Sequence, residues 1–179
     1  MQFSKRMDNL APYLFAGIEQ KIAEKRKNGV DVISLGIGDP DIPTPAYIVE
    51  EMQRQVADAV NHRYPSNWGL PEFAEAAAAF YKRRFGADID PGTEFFPTLG
   101  SKEGLAHICW ALLDAGDLAL VPDPGYPVYS GGSIIVGAEV RYLNLDPQNG
   151  FLPELDEITP EEARRAKVLF IGYPNNPTA

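Results

Sequence analysis

From residue 93 onward, short apolar runs alternate with helical stretches, and this alternation limits the possible folds more than any other feature of the chain. Thr93 to Thr98, Leu118 to Val121, Glu139 to Leu143 and Val168 to Ile171 read as strands. Between them, Gly100 to Leu113, Tyr126 to Val136 (with Gly131-Gly132) and a stretch or turn around Glu161 to Ala166 read as helical. Strands joined through helices pair in parallel, because a parallel pair needs a long crossover connection. The class predicted is therefore α/β, a mainly parallel sheet flanked by helices.

The first 92 residues are more helical. Phe15, Ile18 and Ile22 form a stripe at helical spacing, and Asn28-Gly29 closes that helix. A short strand, Val30 to Leu35, leads into the glycine-rich turn Gly36-Ile37-Gly38-Asp39-Pro40. Thr44-Pro45 reads as an N-cap followed by proline in the first helical position, where its missing donor costs nothing. Val49, Met52, Val56 and Val60 mark one face of the helix that follows. Pro71 opens the next, with Phe73, Ala77, Phe80 and Tyr81 as its expected buried stripe and Gly86 as its stop. No internal repeat or linker is evident.

The chain has 179 residues, a length suited to one ordinary domain, with 16 basic and 25 acidic residues and a net charge of −9. That balance argues against nonspecific binding to nucleic acid or to an anionic membrane, while leaving room for a local cationic pocket. No apolar stretch approaches the roughly 20 residues that span a bilayer. The basic start Met1-Gln2-Phe3-Ser4-Lys5-Arg6 is followed by no signal-like segment. The single cysteine, Cys109, lies on an apolar face and excludes an internal disulfide. Together these features predict a cytoplasmic location.

Ligands of open parallel sheets sit beyond the carboxyl ends of the strands. Three of the four predicted strands end in turns rich in polar or aromatic residues: Leu99-Gly100-Ser101-Lys102-Glu103, Pro122-Asp123-Pro124-Gly125-Tyr126 and Tyr173-Pro174-Asn175-Asn176-Pro177-Thr178. Ser101 is either an ordinary N-cap or, with the free first-turn amides, the helix dipole and the charge of Lys102, an anion site for a phosphate. The spacing is not that of a P-loop. Leu105, Ile108, Cys109 and Leu112 are expected to bury the other face of that helix. Tyr126 is either a surface or core tyrosine or a flat ring laid over a planar ligand. Asn176 is either a turn former or an amide that donates and accepts, and Gly38 either a tight turn or a contact. His62 and His107 have no ligand cluster around them, so both read as structural and no metal site is expected.

Taken in order, these turns resemble the fold-type I, pyridoxal-phosphate-dependent aminotransferases of class I/II. The matching segments are LGIGDPD at 35–41, RYPSNWGLPEF at 63–73, LGSKEG at 99–104, PDPGYPVY at 122–129 and YPNNPTA at 173–179. Within that family, APYLFAGIEQKI at 11–22, GIGDPDIPTP, NHRYPS and GSKEG are most similar to bacterial LL-diaminopimelate aminotransferases. The resemblance implies pyridoxal 5'-phosphate as cofactor. Gly100, Ser101 and Lys102 would hold its phosphate, Tyr126 would stack on its ring, and Asn176 would bond the ring hydroxyl. Tyr64 would reach the phosphate of a second subunit, making a homodimer with shared sites. Tyr13, Gly38, Lys102, Tyr126 and Asn176 would meet the substrate, an amino acid or 2-oxo acid. The implied reaction exchanges an amino group between LL-2,6-diaminopimelate and 2-oxoglutarate in lysine biosynthesis.

The resemblance further implies that the Schiff-base lysine, the aspartate facing the pyridine nitrogen and the arginine holding the substrate carboxylate follow Asn176. Lys5, Lys21, Lys25, Lys27, Lys82 and Lys167 sit in charged contexts, and Lys102 belongs to the phosphate end, so none substitutes. The expectation is an N-terminal portion, incomplete at its C-terminus and inactive alone. Residues 1–44 would form the arm and small-domain segment, and 45–179 the first part of the large cofactor-binding domain. In the family, later strands lie beside 93–98, which would here lack a neighbour. Ala179 stands where the family has glycine, so the turn either stays in an ordinary backbone region or differs locally. The other readings are an aspartate, alanine or aromatic aminotransferase, a β-lyase of the same fold, or a non-catalytic short binding protein.

Overall fold

The structure is a computed structural model and describes residues 2–36, 38 and 40–179. Ile37 and Asp39 of the glycine-rich turn lie outside the described residues. The chain forms two compact units, Pro12–Pro97 and Met1–Ala11 with Thr98–Ala179.

The Pro12–Pro97 unit carries α1 (Leu14–Lys27), α2 (Ala46–Ala57) and α3 (Pro71–Phe85). Asn28 and Gly29, the latter at φ +79°, end α1 as expected. The second helix starts one residue later than predicted: Pro45 is extended and acts as N-cap, its carbonyl accepting from the Ile48 amide at 2.9 Å. Pro71 occupies the first turn of α3, and Gly86, at φ +69°, stops it. The expected buried stripe of α3 is not formed. Only Ala74 is buried, while Phe73, Phe80 and Tyr81 remain exposed. Their rings pack against other aromatic rings instead, with Phe73 edge-on to Phe95 at 5.3 Å and Tyr81 tilted against Phe85 at 5.4 Å. On α2, Met52 is 63% exposed. An apolar stripe is buried only where a second element covers it. Neither Val30–Leu35 nor Thr93–Thr98 forms a strand. Both are apolar enough, but a strand needs a hydrogen-bonded neighbour, and no ladder pairs either segment among the described residues.

The Thr98–Ala179 region is built as the alternation predicts. In order it contains α4 (Ser101–Leu112), β1 (Leu118–Asp123), α5 (Pro127–Val136), β2 (Glu139–Asn144), α6 (Pro160–Arg165) and β3 (Ala166–Leu169). The three strands form a parallel sheet in the order β2-β1-β3. Leu120 faces Arg141 on one side and Leu169 on the other, and Lys167 is the extra residue where the β1–β3 register shifts. As the central strand, β1 is buried over Leu118 to Pro122, which explains its unbroken apolar run. Cys109, Leu113, Ala119, Val121, Ala138 and Phe170 form one core cluster, and Leu118, Leu120 and Leu143 a second. Among the described residues, no helix is long and apolar enough to cross a membrane.

Candidate active site

The turn after β1 is shaped by a glycine. A Cβ on Gly125 would lie 2.3 Å from the Pro122 carbonyl oxygen, so only glycine fits. The chain then delivers Tyr126 as the residue capping α5, with Pro127 in the first helical turn. The half-buried Tyr126 ring is backed edge-on by Tyr129 at 5.9 Å, and Tyr129 stacks on Phe170 at 4.6 Å with the planes 17° apart. Tyr126 is thereby seated on the core of the sheet unit.

At the start of α4, Gly100 is the N-cap residue with φ +83° and has no side chain to offer the first-turn amides. The contrast within this unit is α6, where Thr159 and Glu162 form a complete capping box. The uncapped amides and dipole of α4 therefore favour an anion at that end. The one acidic side chain of the first turn, Glu103, is engaged by the Leu99 amide. Ser101 and Lys102 stand at the exposed end, and Lys102 Nζ lies 5.2 Å from the centroid of the Tyr126 ring, a cation–π distance.

The helix is held by Leu105, Cys109 and Leu113 in the first core cluster. This corrects the expected stripe, since Ile108 and Leu112 are exposed and Leu113 is buried in their place. Between α4 and α5, Gly132 allows close approach: a Cβ there would meet Cys109 Sγ at 2.9 Å. Burial pushes the Cys109 thiol above its ordinary range, which keeps it protonated and inert. Among the described residues no cluster of His, Cys, Asp and Glu could hold a metal.

The third turn follows β3. Asn175 is only 6% exposed, and its side-chain amide donates to the Pro124 carbonyl at 3.1 Å and to Thr178 Oγ1 at 2.8 Å. Asn176 is exposed on the turn itself. Tyr173 donates its hydroxyl to the Phe151 carbonyl at 2.7 Å, anchoring the turn to the loop after β2. Ala179 nevertheless adopts φ +66°, so the turn does not stay in an ordinary backbone region, and the Ala179 amide donates to the Asn175 carbonyl at 2.7 Å.

The three predicted turns are thus gathered, Lys102 to Tyr126 and Pro124 to Asn175. Tyr13, Gly38 and Tyr64 belong to the other unit. Tyr13 caps α1, its ring 5.5 Å from Phe15; Gly38 is exposed with open space where a Cβ would sit; Tyr64 is 95% exposed. Sequence reasoning passed over Asn175 and Tyr129. Nothing in an Asn-Asn pair says which amide is buried, and only the fold brings Tyr129 between two other rings. Amide donors, a hydroxyl and an ammonium beside a flat aromatic ring suit a ligand that joins a phosphate to a planar ring.

The family model for aminotransferase class I and II matches residues 30–179. The chain is 56% identical over 175 residues to the LL-diaminopimelate aminotransferase of Desulforudis audaxviator, and 52% over 178 residues to that of Moorella thermoacetica. Those matches cover 98% and 99% of the chain but 45% and 46% of the relatives, so the chain spans about half their length. Among solved structures, apo BacF from Bacillus subtilis superposes with a TM-score of 0.91 at 40% identity, covering 99% of this chain and 46% of that one. A Thermus thermophilus aspartate aminotransferase mutant gives 0.83 at 31%, with the same two shares.

Proposed function

The chain belongs to the class I and II aminotransferases, and on that premise we propose that the protein carrying it is a pyridoxal-phosphate-dependent aminotransferase. It transfers an amino group between LL-2,6-diaminopimelate and 2-oxoglutarate in lysine biosynthesis, as a cytoplasmic homodimer. The observation that carries the reading is the uncapped start of α4 beside Tyr126, with Lys102 Nζ 5.2 Å from the ring. The substrate follows the names of the relatives at 49–56% identity.

In this reading Ser101, Lys102 and the amides next to Gly100 hold the cofactor phosphate by charge-assisted hydrogen bonds. Tyr126 covers the ring and excludes water from one face, and Asn176 donates to the ring hydroxyl. Gly38 offers its amide to the substrate carboxylate, Tyr13 orients the substrate side chain, and Tyr64 serves the phosphate of the second subunit. When bound, the cofactor supplies an electron sink, while the protein supplies orientation and electrostatics. Residues 1–44 form the arm and small-domain segment, and 45–179 the start of the cofactor domain.

The test uses the complete polypeptide encoded by the gene that carries this sequence. Purified with pyridoxal 5'-phosphate, it should produce glutamate from LL-diaminopimelate and 2-oxoglutarate. Turnover with aspartate and none with LL-diaminopimelate would replace the substrate assignment. Absence of cofactor binding would overturn the reading as a whole.

A further inference from the structure

We propose that Asn175 is a positioning residue: by holding the Pro124 carbonyl it fixes the plane on which Tyr126 meets a cofactor ring. This rests on the pyridoxal-phosphate reading above. The side-chain amide of Asn175 has two hydrogens, and each has its own acceptor. One goes to Thr178 within its own turn, at 2.8 Å, and the other crosses to Pro124 at 3.1 Å, 51 residues earlier in the chain. At 6% exposure the side chain is shielded from competing water.

The acceptor is the carbonyl of the peptide leading into Gly125. That glycine is demanded by the 2.3 Å approach a Cβ would make to Pro122. A glycine next to Tyr126 leaves the backbone freer to rotate than any other residue would. The space that forces glycine into the turn thus also removes the steric means of fixing the tyrosine. The Asn175 bond restrains one side of that freedom, locking the peptide plane immediately before the glycine, while the start of α5 holds Tyr126 on the other side. Behind Tyr126, Tyr129 at 5.9 Å limits the ring from the core side. The two adjacent asparagines therefore divide the work, Asn175 buried as a tether and Asn176 exposed on the turn.

The experiment compares the complete protein with Asn175→Asp, a same-shaped side chain whose ionised form donates nothing and repels the Pro124 carbonyl. Cofactor affinity should fall by up to about tenfold, the worth of one part-buried hydrogen bond. The circular dichroism band of the bound cofactor should shrink, reporting a changed ring orientation at saturation. Hydrogen–deuterium exchange in peptides spanning 123–129 should rise with or without cofactor. Thr178→Val removes the other acceptor and leaves the tether, so cofactor affinity and exchange in 123–129 should stay within about twofold of the unsubstituted protein, whatever the orphaned Asn175 hydrogen costs in stability. If Asn175→Asp does not fold, Asn175→Ala carries the same expectations. Unchanged exchange in 123–129 overturns the proposal, as does an equal loss in Thr178→Val. Failure of the unsubstituted protein to bind pyridoxal 5'-phosphate overturns the cofactor reading, and the exchange measurement still decides whether the tether exists.

Discussion

The packing of α4 on α5 bears on the distance between Lys102 and Tyr126, and Gly132 lies closely against Cys109 in that packing. Gly132→Ala places a methyl group 2.9 Å from Cys109 Sγ, well inside ordinary contact, and 3.6 Å from the Ala106 Cα, an ordinary contact. Overpacking of this kind costs about 1–3 kcal/mol. Replacing a mid-helix glycine returns about 0.5–1 kcal/mol, so the net loss should be about 0–2.5 kcal/mol. Cys109→Ala removes the opposing sulfur and opens a small void, at a cost of about 1–2 kcal/mol. Ser133 stays satisfied in that variant because its hydroxyl also donates to the Tyr129 carbonyl at 2.8 Å. In the double variant the new methyl group occupies the room the sulfur vacates, and the helix-propensity gain is kept. The double variant should therefore be more stable than Cys109→Ala alone. The two changes should couple favourably by about 1–2 kcal/mol, read from urea unfolding of the four proteins in a double-mutant cycle. Additivity within about 0.5 kcal/mol would refute the packing argument, since the glycine would then not be there to admit Cys109.

Gly125→Ala should destabilise by at least about 2 kcal/mol, because its Cβ meets backbone rather than a yielding side chain; urea unfolding with a change near the noise refutes it. The Asp117 carboxyl is held below its ordinary range, chiefly by the hydrogen bond from Lys167, whose Nζ lies 2.7 Å away, and then by the Asp114 amide. A lowered carboxylate stabilises fully above the ordinary carboxylate range, and that contribution is lost as pH falls through its depressed value. Asp117→Asn should therefore flatten the acid limb of a stability-against-pH curve and leave its slope near neutrality unchanged; an acid limb that keeps its slope removes the pair from the account.

The period of the apolar residues was enough to predict the α/β class, the parallel pairing and the helices α1 to α5. Periodicity reports local geometry, and the turn residues reported the stops, as Gly86 and Asn28-Gly29 show. The turns bearing Ser101, Lys102, Tyr126 and Asn176 were legible for the same reason: each follows a strand of one parallel sheet or opens one of its helices, so topology sends them to one edge. Tertiary structure decided what is covered and what is paired. Phe73 and Ile108 are apolar at helical spacing and still exposed, because burial belongs to a second surface, which a stripe by itself does not supply. Thr93–Thr98 has strand composition and no strand, because a ladder is a property of two segments. The choice of Asn175 over Asn176 as the buried amide came from the Pro124 carbonyl, a backbone atom 51 residues away whose position only the folded sheet creates.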